Sequence, residues 1–589
     1  MKKMKKIFAL LIAMVMVLGM STSVFAAPGD LTSDTTISVT DLTVGDTVTY
    51  YQIIEWKDSE GWAFKAPFTS LSADDLKEIL GTPAVPASTD PETGDVTPAV
   101  PAVPGKITQA MANKIAAAAT SGGTTDAALT GTIWSKANPA AGLYMVVITA
   151  KESGVVYNPV FVGADFISTN TTNTISITAT YSDTAVAKKK TITTLKTVDE
   201  NEDSAAIKAA KASMVGDIVS FKITTTIPVF LDSYKNPSFK LTDEVSAGLE
   251  LVVDETHPIS VKYGTTTAVN DGTATGDTNV TITKDSTTKY SVDFAKTYLD
   301  AATTPTEVEV TYFAKITNAA TFNVNRGDNT VTVEYANGPN EEKGIEKDVT
   351  NHYTFSIGAN VIGKQGKKGY EAVKVGVDEN GNELTELTEV TLDNGDDTAT
   401  ARSLEGAKFG LYTTEAAATA GKDVGEEGNG LVVNTNYPNG ATFTTLEDGV
   451  ITFTGLDAGT YYLKELDAPD GFIKNTEVHT VVIAAEYEEK NITENVSGME
   501  VKYQTSVLKQ YTVTIDGKTT TYTFNNDGTT LVDPVIKDIT TEEDRIGNTK
   551  GVELPSTGGI GTTIFYIIGA ILVIGAGVVL VTRRRMNAN

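Results

Sequence analysis

No cysteine occurs in 589 residues, so any covalent bracing of the fold must come from chemistry other than disulfides. Histidine is almost as scarce. His257, His352 and His479 are scattered without metal-ligand spacing or a nearby nucleophile pattern, which argues against a zinc enzyme or a His-dependent hydrolase. No motif implies a cofactor or a metal ion. Basic residues are outnumbered, 47 Lys and Arg against 75 Asp and Glu, and the formal net charge of −28 excludes nucleic acid as a natural partner. Helical periodicity is sparse, and long apolar runs are confined to the two ends.

Those ends define where the chain goes. Lys2, Lys3, Lys5 and Lys6 precede the apolar run from Ile7 to Met20, and Val24-Phe25-Ala26 offers the small residues a signal peptidase reads, so residues 1–26 form an export signal. At the other end Ile560 to Thr582 is long and apolar enough to cross a bilayer, and the basic tail 583–589 begins with Arg583-Arg584-Arg585. The arginines stay on the cytoplasmic side, so everything between the two ends is exported.

Between them the texture is mainly β. Threonine, valine, tyrosine and isoleucine alternate with polar residues, as in Asp217 to Ile223, Glu307 to Tyr312 and Thr330 to Tyr335, and Asn380-Gly381, Asn439-Gly440 and Asp527-Gly528 supply turns. This pattern predicts tandem immunoglobulin-like β-sandwich domains in an elongated rod. The boundaries expected are 27–187, 188–345 and 346–552. Ser72 to Leu80 and Thr108 to Ala119 read as helices of the first domain, and the proline- and alanine-rich stretch between them as an exposed loop.

Leu554-Pro555-Ser556-Thr557-Gly558 stands just before the apolar span and the arginines, and this composite resembles the sorting signal of sortase substrates. The resemblance implies cleavage between Thr557 and Gly558, with the Thr557 carbonyl held as a thioester until an amine attacks, and a final place in the cell wall. A second segment, Tyr461 to Phe472, preceded by Leu404 to Tyr412, resembles the signatures of collagen-adhesin B-type domains, although Leu466 stands where that family usually has threonine. That likeness implies that Glu465 promotes a spontaneous amide bond between a first-strand lysine and the last-strand Asn548. Lys364 is the lysine chosen, with Lys374 as its rival.

A further set, Thr194 to Val198, Val215 to Phe221, Phe239 to Glu244 and Gly327 to Asn337, resembles the middle isopeptide-forming domain of Gram-positive backbone pilins. By that resemblance Lys196 and Asn337 are joined, with Asp243 as the acid. The chemistry has an independent logic. Burial favours the neutral amine that can attack, and the neutral carboxyl that can polarise an amide carbonyl and carry protons as ammonia leaves.

A polymer needs, besides the sorting signal, a lysine that receives the Thr557 carbonyl of the next subunit. The cluster Lys188-Lys189-Lys190, at the seam of the first two domains, is the candidate, without the Tyr-Pro-Lys form common in backbone pilins. The resemblance therefore implies a structural pilus subunit, not an enzyme. Its partners would be sortases, copies of itself, accessory pilins and peptidoglycan. The alternative is a monomeric wall-anchored adhesin with a host or matrix ligand.

Overall fold

The computed structural model describes residues 35–57, 61–82, 84–166, 181–199, 211–230, 234–273, 277–320, 327–338, 343–358, 370–393, 398–422, 429–525, 535–540, 543–551 and 560–586. The export signal, Lys364 and Leu554 to Gly558 lie outside them.

The strand Gly142–Thr149 is apolar at nearly every position because both its faces are covered. Leu143, Met145 and Val147 point into a core shared with the helices Ala73–Leu80 and Gln109–Ala118, and Tyr144, Val146 and Ile148 into one beneath the strand Thr36–Thr40. Both helices begin where the sequence predicts. The Ser72 hydroxyl and the Asp75 carboxylate form a reciprocal capping box, and Thr108 Oγ1 accepts from Met111 N. Between the helices, residues 84–104 are an exposed arm rather than an irregular loop. Val96–Thr97 pairs with Ser88–Thr89 in a short antiparallel ladder.

A second unit is a sandwich of two six-stranded sheets. One runs in the order Leu195–Asp199, Ile218–Ile227, Thr306–Ile316, Ile259–Tyr263, Thr266–Asn270, with Leu249–Val252 also on Thr306–Ile316. The other runs Lys211–Ala212, Lys343–Tyr353, Gly327–Ala336, Phe239–Val245, Lys289–Phe294, Val280–Lys284. Ile218–Ile227 alternates buried and open residues along its length, as a strand with one face on a core must. The inner faces bury one aromatic-rich cluster that includes Phe221, Phe239, Tyr290 and Tyr312.

The third unit is built on a seven-stranded sheet whose centre is Gly459–Asp467, Val478–Val496 and Met499–Ile515. The first strand of the unit, Phe355–Ile357, pairs with Phe453–Leu456, and the next strand, Ala372–Val377, pairs in parallel with the last, Asp544–Thr549.

Two expected boundaries move. Lys343–Tyr353 pairs with Gly327–Ala336 over ten positions, so a division at 345/346 would cut one strand; the second unit extends to Tyr353. Lys189–Thr191 pairs with Val155–Tyr157 of the first unit, so the first seam follows the lysine cluster instead of preceding it.

The hairpin of Val478–Val496 and Met499–Ile515 is long. Strands of 19 and 17 residues reach about 60 Å at the usual rise of ~3.3 Å per residue. Only its base lies in the core of the third unit. Farther out, Ile492, Val501 and Tyr503 pack on Val349 of the second unit, Asn351 Nδ2 donates to Ser506 O at 2.7 Å, and Lys347 meets Glu494 at 2.6 Å. At the tip, Ser153 N of the first unit donates to Glu500 O at 2.9 Å, and Lys502 pairs with Glu152 at 3.1 Å. One strap therefore touches all three units.

A final helix, Ile560–Met586, is apolar until Arg583, and its stretch Ile564–Met586, with a mean hydropathy of 2.8, is long and apolar enough to cross a membrane.

Candidate functional site

In the second unit Lys196 lies on the edge strand Leu195–Asp199, and its side chain crosses the sandwich to the opposite sheet. There the register aligns Asp243 with Val331, so Asn329, two residues away on the same face, is its diagonal neighbour. Lys196 Nζ donates to Asp243 Oδ2 and to Asn329 Oδ1, and all three side chains are fully buried. The ammonium also sits over the rings of Tyr312, at 5.4 Å, and Phe221, at 5.9 Å. Burial lowers the Lys196 pKa to about 8 against the pull of Asp243, and burial likewise raises the Asp243 carboxyl against the pull of Lys196. Both shifts favour a neutral amine beside a neutral acid.

Asn337 is not part of this cluster. At ~3.3 Å per residue it lies about 26 Å along the chain from Asn329, beyond the pairing of Phe239 with Tyr335 at the far end of the strand. Its buried amide has no hydrogen-bond partner among the described residues. The residue that meets Lys196 is Asn329.

The third unit assembles a similar set. Lys374, on Ala372–Val377, donates to Asn548 Oδ1 and lies 3.3 Å from Glu465 Oε1, while Asn548 Nδ2 donates to the same carboxylate oxygen at 2.9 Å. Parallel pairing makes the contact possible, because Gly376 lies opposite Asn548 and Lys374 opposite Ile546. The Lys374 ammonium stands 5.5 Å over the Phe409 ring, and burial lowers its pKa to about 8. Of the two lysines considered, the described geometry brings Lys374 to Glu465 and Asn548.

The cluster Lys188 to Lys190 spans the end of the first unit. Lys188 and Lys189 are exposed; Lys190 is half-buried, its ammonium 3.4 Å from Val229 O, and its pKa is lowered by that burial.

The histidines stay dispersed in sequence, yet folding brings His479 Nδ1 to 2.6 Å from Asp516 and 3.8 Å from Asp544. Lys518 pairs with Asp544 at 2.8 Å, so His479, Asp516, Asp544 and Lys518 form one polar network. In the first unit the fully buried Asp46 accepts from Thr43 N, Lys151 N and the Tyr157 hydroxyl, with no lysine or asparagine side chain on it among the described residues.

Comparison with known proteins first defines a class. Residues 388–497 match the family described as a Prealbumin-like fold domain, and residues 548–587 the one described as the LPXTG cell wall anchor motif. The carboxy-terminal segment is thus a wall anchor, and the chain a surface protein. More particular likenesses follow. The chain is similar to the trypsin-resistant surface T6 protein of Streptococcus pyogenes serotype M6, 23% identical over 466 residues, which cover 76% of this chain and 79% of that one. Its fold is similar to that of the T6 backbone pilin of the same serotype, with a TM-score of 0.52, 18% identity and coverage of 87% and 98% of the two chains. The full-length major pilin SpaD from Corynebacterium diphtheriae superposes with a TM-score of 0.41, 18% identity and coverage of 76% and 91%.

Proposed function

We propose that the chain is the structural backbone subunit of a covalently polymerised surface pilus. A sortase cleaves between Thr557 and Gly558 and joins Thr557 to a lysine of the cluster Lys188 to Lys190 in the next subunit. The observation that carries this reading is the separation of the two joining elements. The lysines lie at the end of the first unit, and the sorting signal follows the last strand of the third. Joining one site to a different site on the next copy does not close on itself, and so gives a filament. Of the three lysines, Lys190 has the amine whose neutral form burial favours, and Lys188 and Lys189 are the more accessible.

Within each subunit the buried clusters form amide cross-links, Lys196 to Asn329 with Asp243 as the acid and Lys374 to Asn548 with Glu465 as the acid, each releasing one ammonia. The chain carries out each of these reactions once and turns over no substrate. The last subunit added is attached to peptidoglycan, and accessory pilins join the same polymer. Immunoblots of cell-wall extracts test the polymer: a ladder of high-mass species that survives hot detergent is expected, and a single band would favour the monomeric adhesin instead. Sequencing the branched peptide identifies the acceptor lysine.

A further inference from the structure

The two clusters differ at the atom that must leave. In the third unit Asn548 Nδ2 donates directly to Glu465 Oε1, and the ring beside the lysine is Phe409, which has no hydroxyl. In the second unit the acid is an aspartate, one methylene shorter, and its Oδ2 is taken up by Lys196. Its Oδ1 makes no aligned hydrogen bond. Asn329 Nδ2 donates instead to the hydroxyl oxygen of Tyr312. That hydroxyl also stands close enough to Asp243 to favour its charged form against the larger effect of burial. The Tyr312 ring is fixed by stacking on Phe221, with centroids 5.2 Å apart and planes within 14°.

We infer that Tyr312 is a catalytic residue of the cross-linking reaction in the second unit, passing a proton from Asp243 to the departing nitrogen of Asn329. The inference rests on the Lys196–Asn329 cross-link proposed above. In the resting cluster one proton passes from the Lys196 ammonium to Asp243, leaving a neutral amine and a neutral acid. Lys196 Nζ attacks Asn329 Cγ; the Nζ–Cγ bond forms and the Cγ–Nδ2 bond breaks. As Nδ2 leaves it gains a lone pair and becomes basic, so the Tyr312 hydroxyl turns from acceptor to donor. Tyr312 gives its proton to Nδ2 and takes one from Asp243. The Asp243 carboxylate then removes the proton of the newly acylated Nζ, which leaves an amide, one ammonia and the acid in its neutral form. Burial holds the Tyr312 phenol well above its ordinary pKa, so it relays a proton without resting as a phenolate. Glu465 reaches the leaving nitrogen itself, and a phenylalanine suffices there.

The test follows the intact mass of the full exported chain from minutes to days after synthesis, with peptide mapping to locate each link. Wild type should lose one ammonia at Lys196–Asn329 and one at Lys374–Asn548. Tyr312→Phe keeps the ring and its stacking, and should slow the first link by roughly a hundredfold, in the range of lost acid–base catalysis, with the second link unchanged. Tyr290→Phe, where the lost hydroxyl has no hydrogen bond among the described residues, should match wild type. Asp243→Glu combined with Tyr312→Phe should restore the link, because the longer acid reaches the nitrogen as Glu465 does. A purely structural role for Tyr312 would leave that double variant as slow as the single one. Wild-type kinetics in Tyr312→Phe, or a folded double variant without recovery, would overturn the role of Tyr312 and leave the cross-link standing. A wild-type chain that never loses ammonia at Lys196–Asn329 would instead overturn the cross-link itself.

Discussion

The second and third units use the same three kinds of side chain, yet they load them differently. In the third, Lys374 is on Ala372–Val377 and Asn548 on the unit's last strand, and the two strands lie side by side and parallel. Tension passing from Ala372 to Thr549 would act along the pair, and the proposed cross-link would carry it almost directly. In the second, Lys196 is on the first strand but Asn329 is on the strand before the last. The hairpin of Gly327–Ala336 and Lys343–Tyr353 remains outside the covalent path. Its exit at Tyr353 is at the same end as Asn329, since His352 pairs with Gly327, so tension would unzip that hairpin. The strap from the third unit packs on Lys343–Tyr353 through Val349 and Asn351, where such a clamp is needed. Loop size does not distinguish the units: the residues of each proposed link are 174 and 133 positions apart, and the logarithmic dependence makes that only a few tenths of a kcal/mol.

The sharpest break in the comparison is removal of each acceptor amide. Asn548→Ala and Asn329→Ala should each show the side-chain mass difference with one ammonia fewer lost than in wild type, and cost about 4 kcal/mol of stability, most of it appearing as faster unfolding and trypsin sensitivity of that unit alone. Asn337→Ala should retain both links by the same mass measurement. Next, single-molecule pulling on the intact chain should extend the second unit in one limited step, the segment from Thr330 to Tyr353 drawn out to about 80 Å, with no comparable step from the part of the third unit between Ala372 and Thr549. Smaller still is the strap. Val501→Asp buries a charge against Val349 and should detach the tip at about 2 kcal/mol, raising hydrogen exchange in residues 343–353 while leaving both cross-links in place. A further effect is with pH. Burial raises Glu346, at the seam with Ser153, from 4.5 to about 7. A carboxyl raised in the folded state adds stability in full below its unfolded pKa and loses it as pH climbs, so the melting temperature should fall between pH 4.5 and 7 and level off above. Glu371, also raised to about 7 by burial, acts in the same sense in the third unit. Glu346→Gln should flatten the part of the profile that comes from the seam and Glu371→Gln the rest.

Much of this was legible in residue pattern. Period-two alternation located the strands, Ser72 and Thr108 located the helix starts, and Lys196, Asp243, Glu465 and Asn548 were all singled out before any geometry. The asparagine of the second unit could not be read the same way. Asn329 and Asn337 are separated by an even number of residues on one chain segment, so alternation puts both toward the same core, and only the register against Phe239–Val245 tells which one lies beside Asp243. The lysine of the third unit had a usable signal, the apolar run Ala372-Val373 and Val375 around Lys374, whereas the glycines around Lys364, the lysine chosen, blur any strand there. Tyr312 was hidden because its partner atoms come from other strands. The strap was hidden for a related reason: its outer strands alternate charged and apolar residues like any sheet edge, and nothing local records that the surface they cover belongs to another unit.

The most direct test is the intact mass of the exported chain, followed by sequencing of its branched peptides. The account predicts the loss of two ammonia molecules, with Lys196 joined to Asn329 and Lys374 to Asn548. An unmodified mass, or a branch from Lys196 to Asn337, would contradict it.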